Sequence, residues 1–126
     1  MIHSPEVGFV FQNFILNLLK ERFLFSPAGI HFWRTKDKAE VDFVIDLGQT
    51  ILPVEVKFKE LKKTEIGRSL RSFINRYQPE MAWVINLELR ERIKLDKTEI
   101  RFMPFWDIIV DETEPYLQFA PWHNNG

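Results

Sequence analysis

The tightest constraint in this sequence is a two-residue turn. Gly48-Gln49 separates two stretches, residues 40–47 and 50–58, in which apolar and polar side chains alternate. Alternation with period two marks strands. A two-residue loop that opens on glycine fits a type II′ turn, whose first position needs a positive φ. Such a turn fixes the register: Leu47 faces Thr50, and paired residue numbers sum to 97. Asp42 then faces Glu55, and Glu40 faces Lys57, on one side of the hairpin, with paired Cβ atoms roughly 4.5–5.5 Å apart. Val41, Phe43, Ile45, Val54, Val56 and Phe58 fall on the other side, which becomes the core side.

Two carboxylates opposed across a ladder repel each other, and more strongly where water is excluded. A divalent cation between them reverses the sign. Hard cations such as Mg²⁺ take carboxylate and carbonyl oxygens and keep several waters. Lys57, two residues beyond Glu55, shares its side and can stabilise negative charge developing on a phosphate. The plain alternative is a solvated strand face of mixed charge, with Glu40 and Lys57 as an ordinary cross-strand pair.

The remaining elements follow from periodicity. Residues 5–25 read as one helix, with Ser4 as N-cap, Pro5 at the first position and a core stripe at Val7, Phe11, Phe14 and Leu18. Residues 26–29 form a loop, 30–34 a short strand, and 35–39 a charged turn. Residues 64–77 read as a second helix with Ile66, Leu70, Phe73 and Ile74 on its buried side, stopped by Pro79. Residues 81–87 and 99–103 read as strands, and 105–110 fits either a short helix or a strand. The order helix, three strands, helix, strand implies an α/β fold with a mixed sheet and helices on its faces. No linker or repeat divides the 126 residues, so one domain is expected, with its core at about 5–103 and a frayed tail at 121–126.

Composition narrows the class. Hydrophobic residues are 45% of the chain and twelve are Phe, which is ample for a core. The absence of cysteine excludes disulfides and thiolate metal sites, and is compatible with a reducing cytoplasm. The apolar run 7–19 is interrupted by Gln12, Asn13 and Asn17, which makes it too short and polar for a membrane span, and it lacks the flanks of a signal peptide. Net charge is -1, but residues 57–76 carry Lys57, Lys59, Lys62, Lys63, Arg68, Arg71 and Arg76 against Glu60 and Glu65. A basic stripe suits a phosphate backbone, and equally a solvated helix face. His3, His31 and His123 have no metal-ligand spacing. Trp33 and Trp106 are the tryptophans to watch for exposure.

Three strings carry a resemblance: Phe32-Trp33-Arg34-Thr35-Lys36, Glu40-Val41-Asp42-Phe43-Val44-Ile45, and Pro53-Val54-Glu55-Val56-Lys57. Together with the helix around Gly8 and the later Ser69-Leu70 helix, they resemble the C-terminal domain of unknown function of bacterial and archaeal AAA+-type ATPases. That domain is similar to PD-(D/E)xK nucleases, including archaeal Holliday-junction resolvases. The resemblance covers roughly residues 5–90. It implies a restriction-endonuclease-like fold and Mg²⁺- or Mn²⁺-dependent hydrolysis of DNA phosphodiester bonds. Asp42 and Glu55 would be metal ligands, with the Val56 carbonyl as a third, and Lys57 would be the catalytic lysine. Arg68 or Ser69 would reach nucleic acid from the second helix. With Lys59 and Arg71 of the basic stripe they form the candidate nucleic-acid-binding set.

Two departures qualify this. Where the family has a glutamate in the first helix, this chain has Gln12, which brings no negative charge and should weaken metal binding. There is also no G-x-x-x-x-G-K-[ST] motif, so the chain is not itself a P-loop ATPase. The alternative is therefore an inactive nuclease-fold module for DNA or protein interaction, accessory to or detached from an AAA+ ATPase. A structural oligomerisation domain, suggested by the aromatics, is a third reading.

Overall fold

The computed structural model describes residues 5–23, 29–35 and 40–110. The elements are α1 (Pro5–Arg22), β1 (Gly29–Arg34), β2 (Glu40–Asp46), β3 (Ile51–Val56), α2 (Arg68–Tyr77), β4 (Met81–Asn86), β5 (Glu91–Leu95), β6 (Thr98–Pro104) and α3 (Trp106–Val110). The six strands form one mixed sheet in the order β1-β2-β3-β4-β6-β5. β3, β4 and β6 run parallel to one another, and the other pairings are antiparallel. The α/β class with a mixed sheet is therefore as expected. The element order goes further, because β5, β6 and α3 follow β4; β6 and α3 fall where a strand at 99–103 and a short element at 105–110 were expected, and β5 is the addition.

Both faces of the sheet are buried. On one side Phe11, Ile15, Leu19 and Phe23 pack with Ile108 of α3 onto Phe43, Ile45, Val54, Trp83 and Ile85. On the other, Leu70, Phe73 and Ile74 of α2 pack onto Val41, Val44, Ala82, Val84, Ile100 and Phe102. This is why β4, Met81–Asn86, is apolar almost throughout: a strand covered on both faces has no polar side.

The α1 stripe is rotated from its expected place. Phe11, Ile15 and Leu19 are buried, whereas Phe14 is 42% exposed. Nearly the whole helix is apolar, so tertiary packing and not periodicity selects the buried side. α2 begins at Arg68 instead of residue 64, with Gly67 as its N-cap. Its buried side is Leu70, Phe73 and Ile74, as expected. It ends where Gln78 turns left-handed (φ 47°) and donates its N–H to the Ile74 carbonyl, one residue before Pro79. Residues 106–110 are a helix, which settles that ambiguity. Ser4, residues 24–28 and 36–39, His3, His123 and the tail at 121–126 lie outside the described residues.

Two polar centres tie the far side of the sheet together. Asn86 is fully buried and donates to the carbonyls of Leu89 (3.1 Å) and Met103 (3.2 Å), while its Oδ1 accepts from the N–H groups of Glu88 (3.0 Å) and Leu89 (2.7 Å). Arg101 is also fully buried, with Nε 2.6 Å from Glu99 Oε2. Burial lowers its pKa, and Glu99 partly opposes the shift. α3 is tethered by a two-point contact of Arg90 with Asp107, which raises the Arg90 pKa, and by Arg22 Nη1 donating to the Ile108 carbonyl at 3.0 Å. No helix among the described residues is long and apolar enough to cross a membrane.

Candidate functional site

The hairpin register is the one the turn dictates. Phe43↔Val54, Val44↔Pro53, Ile45↔Leu52 and Asp46↔Ile51 all sum to 97. Gly48 has φ 94°, Leu47 N–H donates to the Thr50 carbonyl (2.9 Å), and Asp46 Oδ1 accepts the Gly48 N–H (2.9 Å). The last pair is Phe43↔Val54. Asp42 and Glu55, expected to be the next, do not extend the ladder.

The cause lies on the other side of β2. His31 pairs with Val44 but Trp33 pairs with Val41, so Asp42 and Phe43 stand against the single residue Phe32. This is a β-bulge, which re-aims side chains and ends regular pairing. It moves Val41 onto the α2 face, away from the side where alternation alone would put it. It also turns the Asp42 carboxylate into the space left beside β3. There Oδ2 accepts the Val56 N–H at 2.7 Å, and Oδ1 accepts Nε2 of Gln12 at 2.5 Å. α1 thus meets the hairpin at its carboxylate.

Glu55 and Lys57 stand on the α2 side. Lys57 Nζ is 3.3 Å from Glu55 Oε2, with side chains 33% and 16% exposed. Glu55 Oε1 is buried and has no hydrogen-bond partner. The Glu55 carboxylate lies against Gly67: a Cβ there would sit 3.3 Å from Oε2. The partly positive N-terminal end of α2 therefore faces an anionic group, a favourable arrangement. Gly67 was not singled out in the sequence; the only signal was a glycine ahead of the Arg68-Ser69-Leu70 helix. The expected facing of Glu40 and Lys57 does not form a ladder pair: Glu40 pairs with Arg34 on the opposite side of β2.

The backbone supplies a further oxygen. Lys57 N–H donates to the Ile85 carbonyl (2.8 Å), toward β4, whereas Val56 N–H points to Asp42 on the β2 side. In an extended strand the N–H and C=O of one residue point to the same side. The Val56 carbonyl is therefore aimed into the gap that Asp42 borders. Among the described residues no three His, Cys, Asp or Glu side chains converge. Asp42, Glu55 and the Val56 carbonyl are the oxygens at this end of β3 that could serve a hard cation such as Mg²⁺, which commonly uses one or two carboxylates and completes its shell with water and substrate oxygens. The unpartnered Glu55 oxygen fits such a group.

Lys59, Arg68 and Arg71 are exposed, and Ser69 is half-buried in the first turn of α2. Trp33 is not a free platform: it packs edge-on to Phe73 (5.1 Å) and bonds the Tyr77 hydroxyl (3.3 Å). Trp106 is 40% exposed, and His31 is exposed on β1. Cavities of about 310 and 350 Å³ open beside Thr50 and Ile51, at the opposite end of β3 from Glu55. The candidate site thus lies at the C-terminal ends of β3 and β4, where open sheets with parallel strands commonly bind ligands.

The fold is a mixed sheet covered by helices on both faces, with Asp42 and Glu55 held by different partners near the end where its central hairpin splays. The chain belongs to the family described as a domain of unknown function (DUF4143), whose model matches residues 7–108. It is 30% identical over 69 residues to uncharacterised proteins of Mycobacterium bovis (Mb2031c) and Mycobacterium tuberculosis (Rv2008c). That match takes in 55% of this chain but only 15% of each relative. Among solved structures it is similar to a chain of the refined half-complex from the tetradecameric assembly of Thermococcus gammatolerans McrB AAA+ hexamers with bound McrC. The TM-score is 0.63 at 14% identity, over 94% of this chain and 33% of that one. At that identity the likeness is one of fold.

Proposed function

We propose that this domain is a nuclease-like module that binds a nucleic-acid phosphate and a divalent cation, and hydrolyses the phosphodiester bond, with Asp42, Glu55 and Lys57 as its working set. Glu55 carries the reading. A buried carboxylate oxygen without a donor costs on the order of 1–3 kcal/mol, and a cation beside it would supply its missing partner. Asp42, Glu55 and the Val56 carbonyl would hold Mg²⁺ or Mn²⁺, which would acidify a water and offset phosphate charge. The chain's own residues do the rest. The Val56 N–H fixes the Asp42 carboxylate. The α2 terminus and Gly67 seat Glu55. The Lys57 ammonium, beside Glu55, would donate to a phosphate oxygen as negative charge grows. Lys59, Arg68, Ser69 and Arg71 would hold the nucleic-acid backbone.

Cleavage of duplex, single-stranded and branched DNA with Mg²⁺ or Mn²⁺ tests this. Activity that Asp42→Ala abolishes is expected, and no cleavage of any of the three would sink it.

A second reading is favoured by one contact. The Gln12 amide occupies the Asp42 oxygen that a glutamate there would leave to a cation. On this reading the site is catalytically silent and the domain is a cytoplasmic DNA- or protein-interaction module. Salt-sensitive DNA binding that ignores Mn²⁺ would support it. In either case the similar solved chain, which lies in an assembly of AAA+ hexamers, suggests that this domain works beside an AAA+ ATPase module. The much greater length of the curated relatives leaves room for one.

A further inference from the structure

We infer that Phe58 is a base-stacking platform, and that the nucleic acid taken by this site carries unpaired nucleotides beside the phosphate held near Glu55 and Lys57. The inference rests on the nucleic-acid reading above, but not on catalysis or on metal.

The backbone sets Phe58 at a crest. Lys59 N–H donates to the Lys57 carbonyl at 2.8 Å, an i to i+2 bond that closes a γ-turn centred on Phe58. Phe58 is not among the residues with positive φ, so the turn is the common inverse form. Both ends are pinned to β4: Lys57 N–H donates to the Ile85 carbonyl (2.8 Å), and the Lys59 carbonyl accepts the Leu87 N–H (3.1 Å). The crest is therefore a fixed part of the sheet end.

The hairpin alternation puts Phe58 on the core side, yet it is 44% exposed. Its ring is backed by Phe11 (centroids 5.1 Å apart, 51° between planes). Phe11 is 8% exposed and is itself held edge-on by Phe105 at 5.8 Å. The result is a ring supported on the protein side, open to solvent, and followed by exposed Lys59, while Lys57 before it turns to Glu55 on the α2 side. Beyond the exposed Glu60, exposed Lys62 and Lys63 add positive charge. Aromatic faces set in a basic track are how proteins hold single strands, because stacking needs a free base face and tolerates any sequence. A continuous duplex hides its base faces. An unpaired strand, a fork or an open branch presents them.

The test is fluorescence anisotropy of the full chain in EDTA with oligo-dT, a forked duplex and a blunt duplex, using the wild type, Phe58→Leu and Phe58→Trp. Leucine keeps the apolar contact with Phe11 and removes the π-face. Tighter binding of oligo-dT and fork than of duplex is expected. Phe58→Leu should lose about tenfold on the first two and little on duplex, and Phe58→Trp should retain the preference. A 2-aminopurine in the strand should be quenched on binding by the wild type and less so by Phe58→Leu. Equal affinity for all three substrates, undiminished binding by Phe58→Leu, or an equal loss on all three would overturn the inference. No binding to any oligonucleotide would overturn it together with the nucleic-acid reading. A strand preference that depends on Phe58, in a protein that cuts nothing, would support stacking and defeat only the catalytic reading.

Discussion

The side-chain amide of Gln12 on α1 donates to the carboxylate of Asp42 on β2, at 2.5 Å across thirty positions of sequence. This contact joins the first helix to the hairpin at the point where the strands part. It satisfies Asp42 without adding charge. Gln12→Glu would place a second carboxylate there. Mn²⁺ affinity should rise on the order of tenfold. The metal-free protein should lose about 0.5–2 kcal/mol through like-charge contact and the lost donor. Calorimetric titration with Mn²⁺ and urea melts in EDTA measure both. Unchanged Mn²⁺ affinity would argue against a cation beside Asp42.

Gly67 is where α2 approaches Glu55. Its φ of -74° suits any residue, so only space is at issue. Alanine would bring a Cβ to 3.3 Å from Glu55 Oε2 and make the carboxylate give by a few tenths of an ångström. Gly67→Ala should cost about 0.5–1.5 kcal/mol of stability, since glycine is clearly preferred to alanine at an N-cap. It should weaken divalent-cation binding severalfold. A large loss of stability with unaltered metal binding would mean that Gly67 serves folding alone.

Gly8 lies in the interior of α1, and a Cβ there would meet nothing within 4 Å. Gly8→Ala should therefore stabilise the protein by about 0.5–1 kcal/mol, the helix-propensity difference. Chemical denaturation reads this directly. Should the variant bind oligonucleotides more weakly while melting later, the open space at Gly8 belongs to a ligand.

Asn86 satisfies groups in β4, β6 and the turn between β4 and β5 at once. Asn86→Leu strips two N–H groups of their acceptor and two carbonyls of a donor in a buried place. A cost of about 2–4 kcal/mol is expected. Asn86→Asp keeps the acceptor and should cost less at acid pH, where its carboxyl is protonated and can donate, than at neutral pH, where a carboxylate faces the Leu89 and Met103 carbonyls. Equal stability of the two variants at all pH values would contradict this account.

Legibility in the sequence follows the range of the interaction. The register of β2 and β3 was legible because a two-residue turn sets it locally, as was the buried side of α2, whose apolar residues are few and in phase. β5 (Glu91–Leu95) was not. An edge strand carries charge on its open side, and Glu-Arg-Ile-Lys-Leu reads like a loop until β6 is found beside it. The start of α2 was misplaced because residues 64–67 have no helix-breaking sequence before Gly67. Leu61, buried against the α2 face, and the closeness of Gly67 to Glu55 keep that segment out of the helix.

The sequence by itself determined the hairpin, its register, and the presence of Asp42, Glu55 and Lys57 near its open end. Only the tertiary structure decided how they are used. The β1–β2 pairing introduces a bulge at Asp42 and Phe43, so the two carboxylates leave the ladder: Asp42 turns to Gln12 and the Val56 N–H, and Glu55 to Lys57 and Gly67. Turn geometry acts across a few bonds and is written in neighbouring residues. The direction of a carboxylate at a splayed strand end is set by three other elements, which no local pattern encodes.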